Sequence, residues 1–208
     1  TFGLKDEFIS SGRLDNLTSV MGCLKGIMDC TDTEGLKVAC LFDNEEVGSN
    51  TKQGADSLVL NNLLHRIYGK LGLSQEALYE DMANGFMLSV DVAHALHPNY
   101  VDKCDITNKP ILGGGVVLKQ ACSQSYAGDA EAVAVVKGLC EANHIPCQLF
   151  VNRSDIKGGS TLGSMASALT PIRTMDIGVA LLSMHSARET MGAADQDALQ
   201  DLITVFFG

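Results

Sequence analysis

Apolar positions along this chain recur with two different periods. Leu17, Val20, Met21, Leu24, Ile27 and Met28 return at three- and four-residue spacing, which predicts a helix over 14–30. Leu36 to Phe42 (LKVACLF) is a short apolar run after Gly35, the pattern of a buried strand. It stops abruptly at Asp43, Asn44, Glu45 and Glu46. The helical period returns over 55–71 through Leu58, Leu60, Leu63, Leu64 and Ile67, and a shorter helix fits 74–84. Buried strands are predicted over 86–92, 116–119, 146–152 and 176–183, with helices over 127–143 and 190–207 and a helical turn at 166–169. Residues 1–13 read as an irregular entry, and the Pro- and Gly-rich stretches 98–114 and 153–164 as loops. Strands alternate with helices, so the predicted class is α/β with a mostly parallel central sheet flanked by helices, in one domain over 1–208.

Composition narrows the function classes. The formal net charge is −10, which argues against a nucleic-acid footprint. No apolar run is long enough to span a bilayer, so no membrane role is expected. The seven cysteines form no CxxC pair and several sit in apolar runs, which predicts reduced, buried thiols in a cytoplasmic protein. There is no GxGxxG and no phosphate loop, and the glycines at 113–115 precede a strand instead of a helix.

Candidate chemistry gathers at element ends. Glu45 and Glu46, Asp91 and His185 fall at or just past the ends of predicted strands, and Asp15 lies in the first turn of a predicted helix. Parallel strands bring such positions to one edge of a sheet. Adjacent carboxylates repel unless a cation separates their roles, one binding it and another staying free as a base. Oxygen and imidazole donors suit zinc, manganese or cobalt. Each residue also has a plain structural reading: Asp15 as a dipole partner, Asp91 as a turn former, His185 as a packed or capping histidine, and the acidic run as a solvated turn.

Five segments in order, GRLDN (12–16), LFDNEEVGS (41–49), SVDVAHALHPNY (89–100), NRSDIKGGSTLG (152–163) and LSMHSARE (182–189), together resemble the M18 metallopeptidases, the aspartyl aminopeptidases. The resemblance runs over nearly the whole chain and implies a partial catalytic domain of the dinuclear-zinc aminopeptidase type. It implies that Asp15 bridges two Zn2+ ions, that Glu46 and His185 bind one of them and that Asp91 binds the other, with Mn2+ or Co2+ as substitutes. Glu45 is then the general base that takes a proton from the attacking water and sits against the substrate. His94, Lys119 and Tyr126 are then substrate contacts. The substrates implied are peptides with an N-terminal Asp or Glu, and Lys119 is a cation suited to an acidic side chain. His97 and His144 match no role and read as structural.

The resemblance also implies one further histidine well before GRLDN, and a dimerisation domain that leads to assemblies of twelve chains. The first histidine here is His65. The chain is therefore expected to be the C-terminal segment of the catalytic domain, with an apolar sheet edge that favours self-association. Two other functions stay open at this stage: a related dinuclear peptidase of different specificity, and an inactive segment that serves only in assembly.

Overall fold

The computed structural model describes residues Thr1–Gly208. Its strands are β1 (Phe8–Ser11), β2 (Phe86–His94), β3 (Val116–Gln120), β4 (Cys147–Val151), β5 (Arg173–Leu182) and β6 (Glu189–Gly192). Its helices are α1 (Leu14–Asp29), α2 (Val59–Leu71), α3 (Gln75–Asn84), α4 (Ala130–Ala142), α5 (Leu162–Leu169) and α6 (Ala193–Phe207). All six strands form one sheet in the order β1-β6-β5-β3-β4, with β2 also paired to β5. The α/β class with flanking helices holds, but the sheet is mixed and not mostly parallel. β2/β5 and β3/β4 are parallel, whereas β3/β5, β5/β6 and β1/β6 are antiparallel. The turn from β5 to β6 spans only 183–188, too short for the crossover that a parallel neighbour needs.

Several boundaries differ from those predicted. Residues 1–13 contain β1, and residues 189–192 are a strand ahead of the last helix. The strand predicted at 176 starts at Arg173, and the helix predicted from 55 starts at Val59. The largest difference is at 36–42, which carries no ladder pairing. Ala39 packs against the main core and Phe42 against the α2/α3 cluster, while Leu36, Val38 and Leu41 stay exposed. Apolar composition encodes burial, but a strand also needs a neighbour to pair with. The thiols divide as well: Cys104 and Cys140 are buried, but Cys40 and Cys122 are exposed.

Strand alternation places the chemistry. Met175, Ile177, Val179 and Leu181 of β5 face a core built with Val116, Leu118, Val136, Cys140, Leu199, Leu202 and Ile203, so α4 and α6 cover that side. The intervening residues Thr174, Asp176, Gly178 and Ala180 share the opposite face with Val117 and Lys119 of β3 and Ser89, Asp91 and Ala93 of β2. The polar positions inside these strands are thus those that face the site.

β2 pairs with β5 alone, and its Val90 carbonyl accepts from Asn16 Nδ2 at 3.0 Å instead of from another strand. Beside it, Val38–Phe42, Phe86, Leu88, Val20 and Phe206 line an apolar cleft of about 490 Å³. No helix is long and apolar enough to cross a membrane.

Candidate metal centre

Backbone geometry sets up the first donor. Arg13 takes a left-handed conformation, and Asp15 and Asn16 leave helical geometry across a cis peptide bond. Asp15 therefore sits just ahead of the regular part of α1. Glu45 and Glu46 start a short 3-10 turn, Glu45–Val47, entered through left-handed Asn44. His185 lies three residues past β5 and is itself left-handed, with φ 66°. Asp91 points from the body of β2 instead of its end, while His94 closes that strand.

The turns bring three donors together. His185 Nε2 lies 3.1 Å from Asp15 Oδ2 and 3.2 Å from Glu46 Oε2. One ligand atom from each of Asp15, Glu46 and His185 falls within a 4.8 Å spread. Two carboxylates and an imidazole at this spacing fit one zinc ion with room for a further ligand. Asp91 lies outside that group. Its Oδ2 sits 3.0 Å from Lys119 Nζ, which also donates to the Val92 carbonyl at 2.6 Å and lies 4.6 Å over the Tyr126 ring. Lys119 is 3% exposed, so it is a buried ion-paired cation and not a solvated edge lysine. Tyr126 is buried against Phe150.

All eight residues singled out in the sequence, Asp15, Glu45, Glu46, Asp91, His94, Lys119, Tyr126 and His185, line one cleft of about 280 Å³. The apolar cleft beside β2 is larger but touches this chemistry only at its rim, through Asp15, Glu45, Glu46 and Asp91. His97 and His144 lie outside both.

Electrostatics report crowding of negative charge. Burial, then Asp91 and Glu46, push the Asp15 carboxyl up to about 6. Burial, then Asp91, Glu46 and Asp15, push Glu45 up to about 7, with Lys119 opposing. Burial and Lys119 lower His94 and favour a neutral imidazole. Unfolded values near 3.8 and 4.5 mean that the folded, metal-free chain holds more protons than the unfolded chain between about pH 4 and 7. Stability therefore falls as pH rises through that window. In chelator, the Asp15→Asn/Glu45→Gln double variant is expected to melt about 3 °C above the parent at pH 8, with the gap closing at pH 5. Thermal melts at both pH values check this, and a gap equal at both would refute the assignment.

Some of the site was not singled out in the sequence. Gly159, Ser160, Thr161, Met165 and Met184 also line the cleft. Buried Asp176 accepts from the Ala127 N–H and from Ser89 Oγ, next to Tyr126 and Thr161. A Cβ at Gly163 would lie 2.6 Å from Ser89 Oγ and 2.7 Å from Asp176 Oδ2, so glycine lets α5 approach this carboxylate. An Asp inside the apolar run TMDIGVALL was the available signal.

Comparison with known proteins shows what the chain is similar to. The chain is 44% identical to aspartyl aminopeptidase 4 of Saccharomyces cerevisiae over 218 residues, covering 99% of this chain and 44% of that protein. It superposes on a chain of the cryo-EM structure of the Ape4 and Nbr1 complex with a TM-score of 0.89, at 35% identity, over 99% of this chain and 40% of that one. For the S. cerevisiae mApe1 dodecamer the TM-score is 0.82, at 27% identity, over 99% and 47% of the two chains. The chain spans about half the length of the curated relatives it matches. The family model for aminopeptidase I zinc metalloproteases matches residues 1–207, and the chain belongs to that family, the M18 peptidases.

Proposed function

We propose that residues 1–208 are a segment of the catalytic domain of a zinc aminopeptidase that removes N-terminal Asp or Glu from peptides. The observation that carries this reading is the convergence of Asp15, Glu46 and His185 beside Glu45. Asp15, Glu46 and His185 would hold one zinc ion, and Asp15 with Asp91 would face a second. Manganese or cobalt suit the same donors. When bound, zinc polarises the scissile carbonyl and makes water a stronger acid. Glu45, in the cleft but outside the group of three donors, would take a proton from the attacking water and pass it to the leaving amine. Lys119 supplies positive charge for an acidic side chain, Tyr126 walls the same cleft, and neutral His94 offers a hydrogen bond. The name of the yeast aspartyl aminopeptidase supports the substrate class.

A second reading has its own support. No residue of this chain joins Asp15 and Asp91 in a second donor cluster, and Lys119 occupies Asp91. On that reading these residues are half a site, completed by other sequence or serving only in assembly. The dodecameric S. cerevisiae structure supports homo-oligomer formation, which the open edge of β2 and its apolar cleft would favour.

Elemental analysis, with hydrolysis of chromogenic N-terminal Asp and Leu amides by the same sample, tests both readings. Two metals per chain and turnover of Asp over Leu is the expected result. Leu over Asp overturns the specificity and the role of Lys119. One metal without turnover selects the half-site reading, and no bound metal overturns the metal centre.

A further inference from the structure

Glu189 opens β6 and is 2% exposed, yet it pairs with no cation. Its two carboxylate oxygens are used separately. Oε2 accepts the Asp15 N–H at 3.0 Å, and Oε1 accepts the His185 N–H at 2.8 Å. These are the backbone amides of two of the three clustered donors, far apart in sequence.

The topology explains how one side chain reaches both. β6 lies between β1 and β5 and runs antiparallel to each, with Ser11 opposite Glu189 and Leu182 opposite Thr190. β1 and β5 therefore both end at the start of β6. The chain leaves β1 into the turn that carries Asp15 and leaves β5 into the turn that carries His185. Neither turn has a ladder bond for these amides, and a buried orphan N–H is costly. We infer that Glu189 is a positioning residue that clamps the two turns together, so that the Asp15 carboxylate and the His185 imidazole meet at one cation. The inference rests on the metal reading for its purpose and on the two hydrogen bonds for its geometry.

Only glutamate meets both demands. It has two acceptor oxygens and no donor, so both N–H groups are satisfied at once. Glutamine turns an NH2 toward one of them. Aspartate keeps the charge but is one methylene too short. Each oxygen is directed at a backbone N–H, and Glu189 is not among the three clustered donors.

A matched control exists on the same chain. Asp195 is 0% exposed and accepts the Gly113 and Gly115 N–H groups, each at 2.8 Å. It is the same kind of buried two-amide carboxylate, but it lies outside the metal cleft. Two measurements decide the proposal on the parent chain and on Glu189→Gln, Glu189→Asp and Asp195→Asn. One is amide hydrogen exchange in chelator, read at Asp15 and His185 by NMR. The other is zinc affinity by competition with a chromophoric chelator.

Glu189→Gln and Glu189→Asp are expected to speed exchange at one or both amides and to weaken zinc binding about 10–100-fold, the range for partners that orient a ligand. Asp195→Asn is expected to lower the melting temperature comparably with zinc affinity unchanged. Unchanged exchange at both amides in Glu189→Gln overturns the clamp, with or without metal. An equal affinity loss in Asp195→Asn overturns it in favour of general destabilisation, and parent-like affinity in Glu189→Asp overturns it in favour of simple charge. A parent chain that takes up no zinc overturns the metal reading instead, while exchange still decides the clamp.

Discussion

Replacing Glu45 by Gln is expected to lower kcat for an N-terminal Asp amide by about 10³-fold in the assembled protein, with zinc content unchanged. Glu45 lies in the cleft but outside the group of three donors whose ligand atoms converge. Gln keeps the shape and loses the basic oxygen. In the metal-free chain burial and acidic neighbours push this carboxylate up to about 7, which makes it a stronger base than an ordinary carboxylate. Parallel assays of metal content and steady-state kinetics separate the two effects. Turnover within tenfold of the parent would remove Glu45 as the base, and loss of zinc along with turnover would make it a ligand.

Asp15→Asn is expected to act on binding first, weakening zinc affinity more than about 100-fold in a chelator competition. That exceeds the usual cost of losing a partner that only orients a ligand. Asp15 Oδ2 is one of the three clustered donor atoms, and Asn keeps its shape but loses the negative charge that binds a cation. In the metal-free protein the same change relieves repulsion from Asp91 and Glu46. Opposite signs are therefore expected: a higher melting temperature in chelator and a smaller rise when zinc is added. A variant with parent-like zinc affinity would exclude Asp15 as a ligand.

Much of the site was legible because its residues sit in short polar interruptions of apolar runs. Glu45 and Glu46 after LKVACLF, Asp91 within FMLSVDV and His185 after VALLSM each break an apolar run, and all reach one cleft. Lys119 ends the run VVLK, but sequence left open whether it was solvated or buried, and only its partners Asp91 and Val92 answer that. Glu189 and Asp176 were missed for one reason. Their partners, backbone amides and for Asp176 also the Ser89 hydroxyl, are distant in sequence, and no local pattern encodes which groups meet.

The buried strands β2 to β5, the helices between them and the candidate site residues were legible in the sequence itself. Periodicity reports which side chains leave water, and charge within an apolar run reports where a compensating partner is required. Tertiary structure alone decided the rest: that the sheet is mixed, that 36–42 lies along a cleft without pairing, that Lys119 faces Asp91, and that Glu189 joins the turns of Asp15 and His185. Strand pairing and amide capping are non-local hydrogen bonds. Their partners are chosen by how the whole chain packs, and no segment carries that information alone.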